Sequence, residues 1–158
     1  MAKNTKSKPG HRPAMKPPKP GPAPSKQVAA LCYQGEGDNL QILLITSRET
    51  GRWVIPKGWP MRKRTDAEAA EREAWEEAGI RGIITEKSLG FYTYTKRLSK
   101  GRRTPCMVRI YPLKVEKTLK KYPEKGQRRN KWFSPKKAAR KVAEADLAML
   151  IRKFEPAA

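Results

Sequence analysis

Six of the chain's fifteen acidic residues, Asp66, Glu68, Glu71, Glu73, Glu76 and Glu77, fall within twelve consecutive positions. On a helix, Glu73 lies three and four positions from Glu76 and Glu77, so the three carboxylates reach toward a common point on one face. They immediately precede Gly79. There a helix C-terminus carries the negative end of the peptide dipole and disfavours further negative charge by about 0.3–1 kcal/mol per site. Mutual repulsion and the dipole both oppose this clustering, and a divalent cation would reverse both. Hard carboxylate oxygens with open coordination positions suit Mg²⁺ or Mn²⁺ holding a phosphate. The competing reading is a solvated acidic face, moderated by Arg72 and by basic surroundings. Spacing alone leaves the two open.

The elements that must position these residues are legible around them. Thr65-Asp66-Ala67-Glu68 has the form of a capping box, which predicts a helix from there to about Ala78 with Gly79 as its stop. A short strand at 53–56 leads into it through Lys57-Gly58-Trp59-Pro60. Upstream, 28–33 and 40–46 read as two strands joined across the turn-rich 35–39, a hairpin. Further strands are predicted near 82–85, 90–96, 104–115 and 131–133. Ser134 and Pro135 form the N-cap and first residue of a C-terminal helical segment, with Leu147, Leu150, Ile151 and Phe154 at helical spacing. Strands framing one helix and ending in another predict a mixed α/β layered fold. Phe91, Tyr92, Tyr94, Tyr111, Trp53, Trp75 and Trp132 lie in or beside these elements, and core packing is expected for most of them. Trp59, in the loop beside Gly58, is the exception that can stack on a base or line a pocket.

Length and charge bound the rest. The 158 residues fit one domain and a tail. Residues 1–26 hold seven of the fourteen prolines and seven Lys or Arg with no acid, a composition expected to be disordered or polyproline-like. Taking its +7 from the total of +21 leaves +14 on 27–156, the expected domain, and on the last two residues. So basic a domain implies a polyanionic partner, which charge alone does not resolve into nucleic acid or small phosphorylated ligand. No apolar run reaches the roughly 18 residues of a membrane helix, and the N-terminus lacks a secretory hydrophobic stretch. Cys32 and Cys106 sit in apolar runs and read as buried thiols. A cytoplasmic setting without membrane contact is the expectation; oligomeric state is not readable.

Gly58, five residues, position 64, seven residues and then Arg72-Glu73-Ala74-Trp75-Glu76-Glu77-Ala78-Gly79-Ile80 resembles the Nudix box, Gx5Ex7REUxEExGU, with U a bulky apolar residue. Two positions depart: Arg64 stands where the box has Glu, and Ala74 where it has a bulky residue. The resemblance implies a Nudix α/β/α sandwich with a mixed β-sheet, a loop-helix-loop carrying the box, and a C-terminal helix. From Val28 to about Phe154 the chain is also similar to the diphosphoinositol polyphosphate phosphohydrolase subgroup, which cleaves diadenosine polyphosphates as well. The supporting stretches are 42–48, 100–104 and 127–133.

That resemblance implies Mg²⁺-dependent (or Mn²⁺-dependent) hydrolysis of a phosphoanhydride in a small, highly phosphorylated substrate. Glu73 and Glu77 are then metal ligands, with the Gly58 carbonyl as a third donor. Glu76 is the general base, with Glu73 also in the catalytic set, and Arg72 is a structural support that orients the carboxylates. Arg48, Lys57, Trp59, Arg103, Arg128 and Arg129 are the expected substrate contacts, since Arg matches phosphate in bidentate fashion. Two alternatives stand beside this reading. One is an RNA 5′-end pyrophosphohydrolase whose basic tail grips RNA. The other is a catalytically weak binding or regulatory module, motivated by Arg64.

Overall fold

The computed structural model describes residues 23–157. The expected tail therefore lies outside the described residues except for its last four positions, two of which already belong to the first strand.

Strand β1 (Ser25–Gln34) lies at the centre of a single eight-stranded sheet. Val28 to Cys32 are all at most 1% exposed, which is the unbroken apolar run of a strand covered on both faces. β1 pairs antiparallel with β2 (Gln41–Thr46) through Tyr33↔Ile42, and parallel with β7 (Arg103–Thr118) from Ser25↔Cys106 to Tyr33↔Lys114. β1 thus starts two residues before the expected domain boundary. Ser25 and Lys26 join by backbone pairing, which their polar side chains do not announce.

On the β2 side the sheet continues to β3 (Trp53–Val54) and β8 (Asn130–Phe133). β4 (Lys57–Gly58) joins β1 at Val28↔Gly58. On the far side, β7 carries β6 (Gly90–Arg97) along its first half and β5 (Ile80–Ile84) along its second. The mixture of parallel and antiparallel pairing is the expected one.

Alternation along β1 and β7 splits the core in two. Val28, Ala30 and Cys32 with Tyr111 and Leu113 face helix α1 (Asp66–Ala78), whose buried residues include Ala67, Ala69, Ala70, Ala74 and Ala78. Ala29, Leu31 and Tyr33 with Val108 and Ile110 face α2 (Pro135–Lys141) and α3 (Ala145–Lys153). The result is an α/β/α sandwich.

The C-terminal segment differs from a single helix. It breaks at Val142, which is extended (φ −78°, ψ 150°) and buried at 8% exposure, so turning a valine into the core interrupts the helix. Phe154 lies just past α3 and packs edge-on against Tyr33 at 4.9 Å. Phe91 is a correction to the expected aromatic core: it is 52% exposed, while its neighbour Tyr92 is 2% exposed, because alternation along β6 turns it to the outer face. Both cysteines are buried free thiols.

Candidate active site

α1 forms as the sequence predicts. The Thr65 hydroxyl accepts from the Glu68 N–H, the Glu68 carboxylate accepts from the Thr65 N–H, and Gly79 ends the helix in the left-handed region (φ 69°). No basic residue lies in the last turn. Instead, the segment between β7 and β8 folds back over this end. Its Glu124 N–H donates to the Glu76 carbonyl at 2.9 Å, its Leu119 N–H donates to the Gly79 carbonyl at 2.8 Å, and the Tyr122 ring lies against Gly79. Backbone donors thereby satisfy the helix end that a cationic side chain often serves.

This fold-back delivers two charged residues to the acidic helix. Arg128 Nη2 lies 3.3 Å from Glu77 Oε1 and 3.1 Å from Glu124 Oε1, and Arg128 Nη1 donates to the Thr46 carbonyl at 3.1 Å. Glu77 Oε2 also accepts from the Lys57 N–H at 3.2 Å. Gly58, next in β4, is in contact with Glu73: a Cβ there would overlap the Glu73 carboxylate. Burial, then the Glu77 charge, pushes the Glu73 carboxyl up to about 8. Burial raises Glu77 to about 7, against the lowering effect of Arg128 and Lys57. Two carboxyls with raised proton affinity, one against Gly58 and the other on the Lys57 N–H, form a site that resists extra negative charge.

Above them opens a groove of about 720 Å³. Of the residues expected at the site, Gly58, Glu73 and Glu77 line it, and so do Arg48, Lys57, Trp59, Arg103 and Arg128. Lys57 Nζ lies over the Tyr94 ring (5.4 Å) and Lys96 Nζ over Trp59 (4.7 Å), so aromatic faces hold both cations at the wall. Burial lowers the Lys57 pKa. Glu76, Arg72, Arg129 and Arg64 are not among the lining residues. Arg72 Nε holds Glu76 Oε1 at 2.9 Å on the helix flank, Arg129 lies exposed over Trp53, and Arg64 is exposed before the helix start.

The groove also contains residues the sequence reading missed: Gln27, Arg52, Tyr94, Lys96, Arg97, Glu124 and Glu144. Gln27 accepts a 2.6 Å hydrogen bond from the Tyr94 hydroxyl. Lys96, Arg97 and Arg103 flank the β6–β7 turn, and their clustering with Lys100 and Arg102 is the sequence signal that could have found them. Glu124 and Glu144 lie far from the box in sequence and carry no such signal.

The donor set fits a divalent cation in its chemistry: hard carboxylate oxygens of Glu73 and Glu77 beside a glycine that leaves them room. Their present placement does not pre-form a cage. Among the described residues no group of three or more His, Cys, Asp or Glu converges as metal ligands. Arg72 holds Glu76 on the helix flank, and Arg128 Nη2 contacts both Glu77 and Glu124.

Comparison with known proteins places the chain by family and fold. The NUDIX domain model matches residues 24–154. The chain is 34% identical over 106 residues to Nudix hydrolase 13, mitochondrial, of Arabidopsis thaliana, covering 64% of this chain and 52% of that protein. It is 29% identical over 110 residues to human diphosphoinositol polyphosphate phosphohydrolase 3-beta, covering 68% and 63%. The chain thus spans about half the length of the first of these relatives. The fold also matches the crystal structure of a C. elegans Ap4A hydrolase, with TM-score 0.59 and 22% identity over 84% of this chain and 96% of that one.

Proposed function

We propose, from the premise that the chain belongs to the Nudix family, that the groove hydrolyses a phosphoanhydride bond in a small polyphosphorylated substrate with the help of Mg²⁺ or Mn²⁺. The observation that carries the reading is the contact of Glu73 with Gly58 and of Glu77 with the Lys57 N–H, which sets two carboxylates of the acidic helix against the floor of a cation-walled groove.

Glu73 and Glu77 would hold the metal, and the Gly58 carbonyl is the further oxygen donor expected from the box. A bound divalent cation neutralises phosphate oxygens and makes water more acidic. Arg48, Lys57, Lys96 and Arg103 bind and orient the polyphosphate from the walls. Trp59, 47% exposed at the rim, offers a face to a base or ring. Glu124 lies outside the acidic helix yet lines the groove; it is better placed than Glu76 to accept the proton of the attacking water. The relatives' names point to diadenosine polyphosphates and diphosphoinositol polyphosphates as the compounds to try first.

The test is a phosphate-release screen of the purified chain across both classes, with Mg²⁺ and with chelator. Turnover that needs the cation and is lost in Glu77→Gln is expected; turnover unaffected by chelator, or by that substitution, contradicts the proposal. Within the same screen Glu124→Gln lowers kcat by at least about 10-fold while Glu76→Gln retains most activity, since general-base contributions run to 10²–10⁴. The reverse order would return the base role to Glu76.

A further inference from the structure

Arg128 was expected at the substrate, and the structure gives it a different set of partners. Its side chain is only 9% exposed, it touches two carboxylates and one carbonyl, and its Nε is buried with no hydrogen-bond partner among the described residues. A buried guanidinium is tolerated when its charge is paired, and an unmade hydrogen bond of a buried charged group is costly. The pairing here uses Oε1 of Glu77, an oxygen of the carboxylate that the acidic helix offers to a cation.

We propose that Arg128 is the resident counter-cation of this site, competing with a divalent cation for Glu77 while it also holds Glu124, so that metal binding and release of the guanidinium are one linked event. The idea rests on the metal reading given above. Its logic is electrostatic: the buried Glu77 carboxylate takes one close cation at a time, because two cations in one gap repel strongly in a partly dry groove. The Arg128 Nε makes no hydrogen bond to another group among the described residues. Release of the guanidinium costs less than a fully bonded arginine's would, and it puts a forked donor back at a groove that binds phosphate.

The same exchange assigns a purpose to the identity of the residue. A lysine at 128 would supply charge without a fork to span Glu77 and Glu124 while reaching the Thr46 carbonyl. Arg48 is a natural control: it also approaches Glu124, at 3.4 Å, but is 56% exposed and screened by water.

The experiment is a titration of the full chain with Mn²⁺ alone, following free Mn²⁺ by electron paramagnetic resonance. Arg128→Gln is expected to bind Mn²⁺ at least about fivefold more tightly than the unsubstituted protein, a coupling at the modest end of linked equilibria. Arg128→Lys falls between them, and Arg48→Gln changes little. Equal or weaker binding in Arg128→Gln overturns the competition while leaving the metal reading intact. Absence of Mn²⁺ binding in every protein overturns both.

Should Arg128→Gln fail to fold, the unsubstituted protein still answers. Its buried Arg128 Nε–H, followed by ¹⁵N NMR and identified by its loss in Arg128→Lys, is expected to exchange faster with solvent when Mg²⁺ is added. An unchanged signal at saturating Mg²⁺ would overturn the proposal.

Discussion

Gly58 has no room for a side chain, yet what fills that room is the mobile end of Glu73 rather than backbone. Gly58→Ala should therefore be tolerated by the fold and not by the chemistry. We expect a thermal midpoint close to that of the parent, with turnover reduced by about 10²-fold, the penalty of displacing a reacting group by about an ångström. A variant as active as the parent would remove Gly58 from the site. The same crowding has a pH signature. Glu73, raised to about 8, and Glu77, raised to about 7, hold protons in the folded protein at pH values where the unfolded chain has already released them. Their stabilising effect is complete below an ordinary carboxyl pKa of about 4.3 and is lost as pH rises through about 7 to 8. With chelator present, the thermal midpoint should fall between pH 6 and pH 8.5, and fall less in Glu73→Gln. Identical pH slopes would show that Glu73 does not take part.

At the scale of elements, α1 and the segment that closes over its end act together. Gly79 is in the left-handed region and lies against Tyr122, so a methyl group there meets both backbone strain and a ring. Gly79→Ala should cost at least about 1–2 kcal/mol of unfolding free energy from the conformation alone, measured by urea denaturation. Because the displaced ring belongs to the segment carrying Glu124 and Arg128, activity should fall further than stability explains. An unaltered unfolding free energy would mean that the segment gives way freely.

Helix α1 was legible because its signals are local. The capping box, the carboxylate spacing and the glycine stop all lie between Thr65 and Gly79. The partners of Glu77 were not, since Lys57 and Arg128 lie 20 and 51 positions away and meet it through the pairing of β4 and the fold-back of the segment before β8. Arg128 and Arg129 are adjacent and chemically identical, and one turns in to the carboxylates while the other lies exposed. Composition carries no information about which. Phe91 and Tyr92 divide on β6 for the same reason.

Over the whole molecule, part of the basic charge read from composition lines the groove, whose walls carry Arg48, Arg52, Lys57, Lys96, Arg97 and Arg103 around a carboxylate floor. Wall cations of this kind steer anions, and salt screens them. kcat/KM for a polyphosphate substrate should fall on the order of 10-fold between about 0.05 and 0.3 M salt, mostly through KM; a flat response would assign those cations to solvation alone. Among the described residues no helix is long and apolar enough to cross a membrane. A mixed α/β layered fold followed from the strand and helix patterns in the sequence and the sandwich from the Nudix resemblance, whereas the shape of the groove depended on loops between strands. The most direct test of the central claim is turnover of a diadenosine or diphosphoinositol polyphosphate at saturating Mg²⁺ by the parent, Glu73→Gln and Glu77→Gln. The carboxylate floor predicts metal-dependent hydrolysis by the parent and a loss of about 10²-fold or more in each variant. Equal turnover by all three would contradict it.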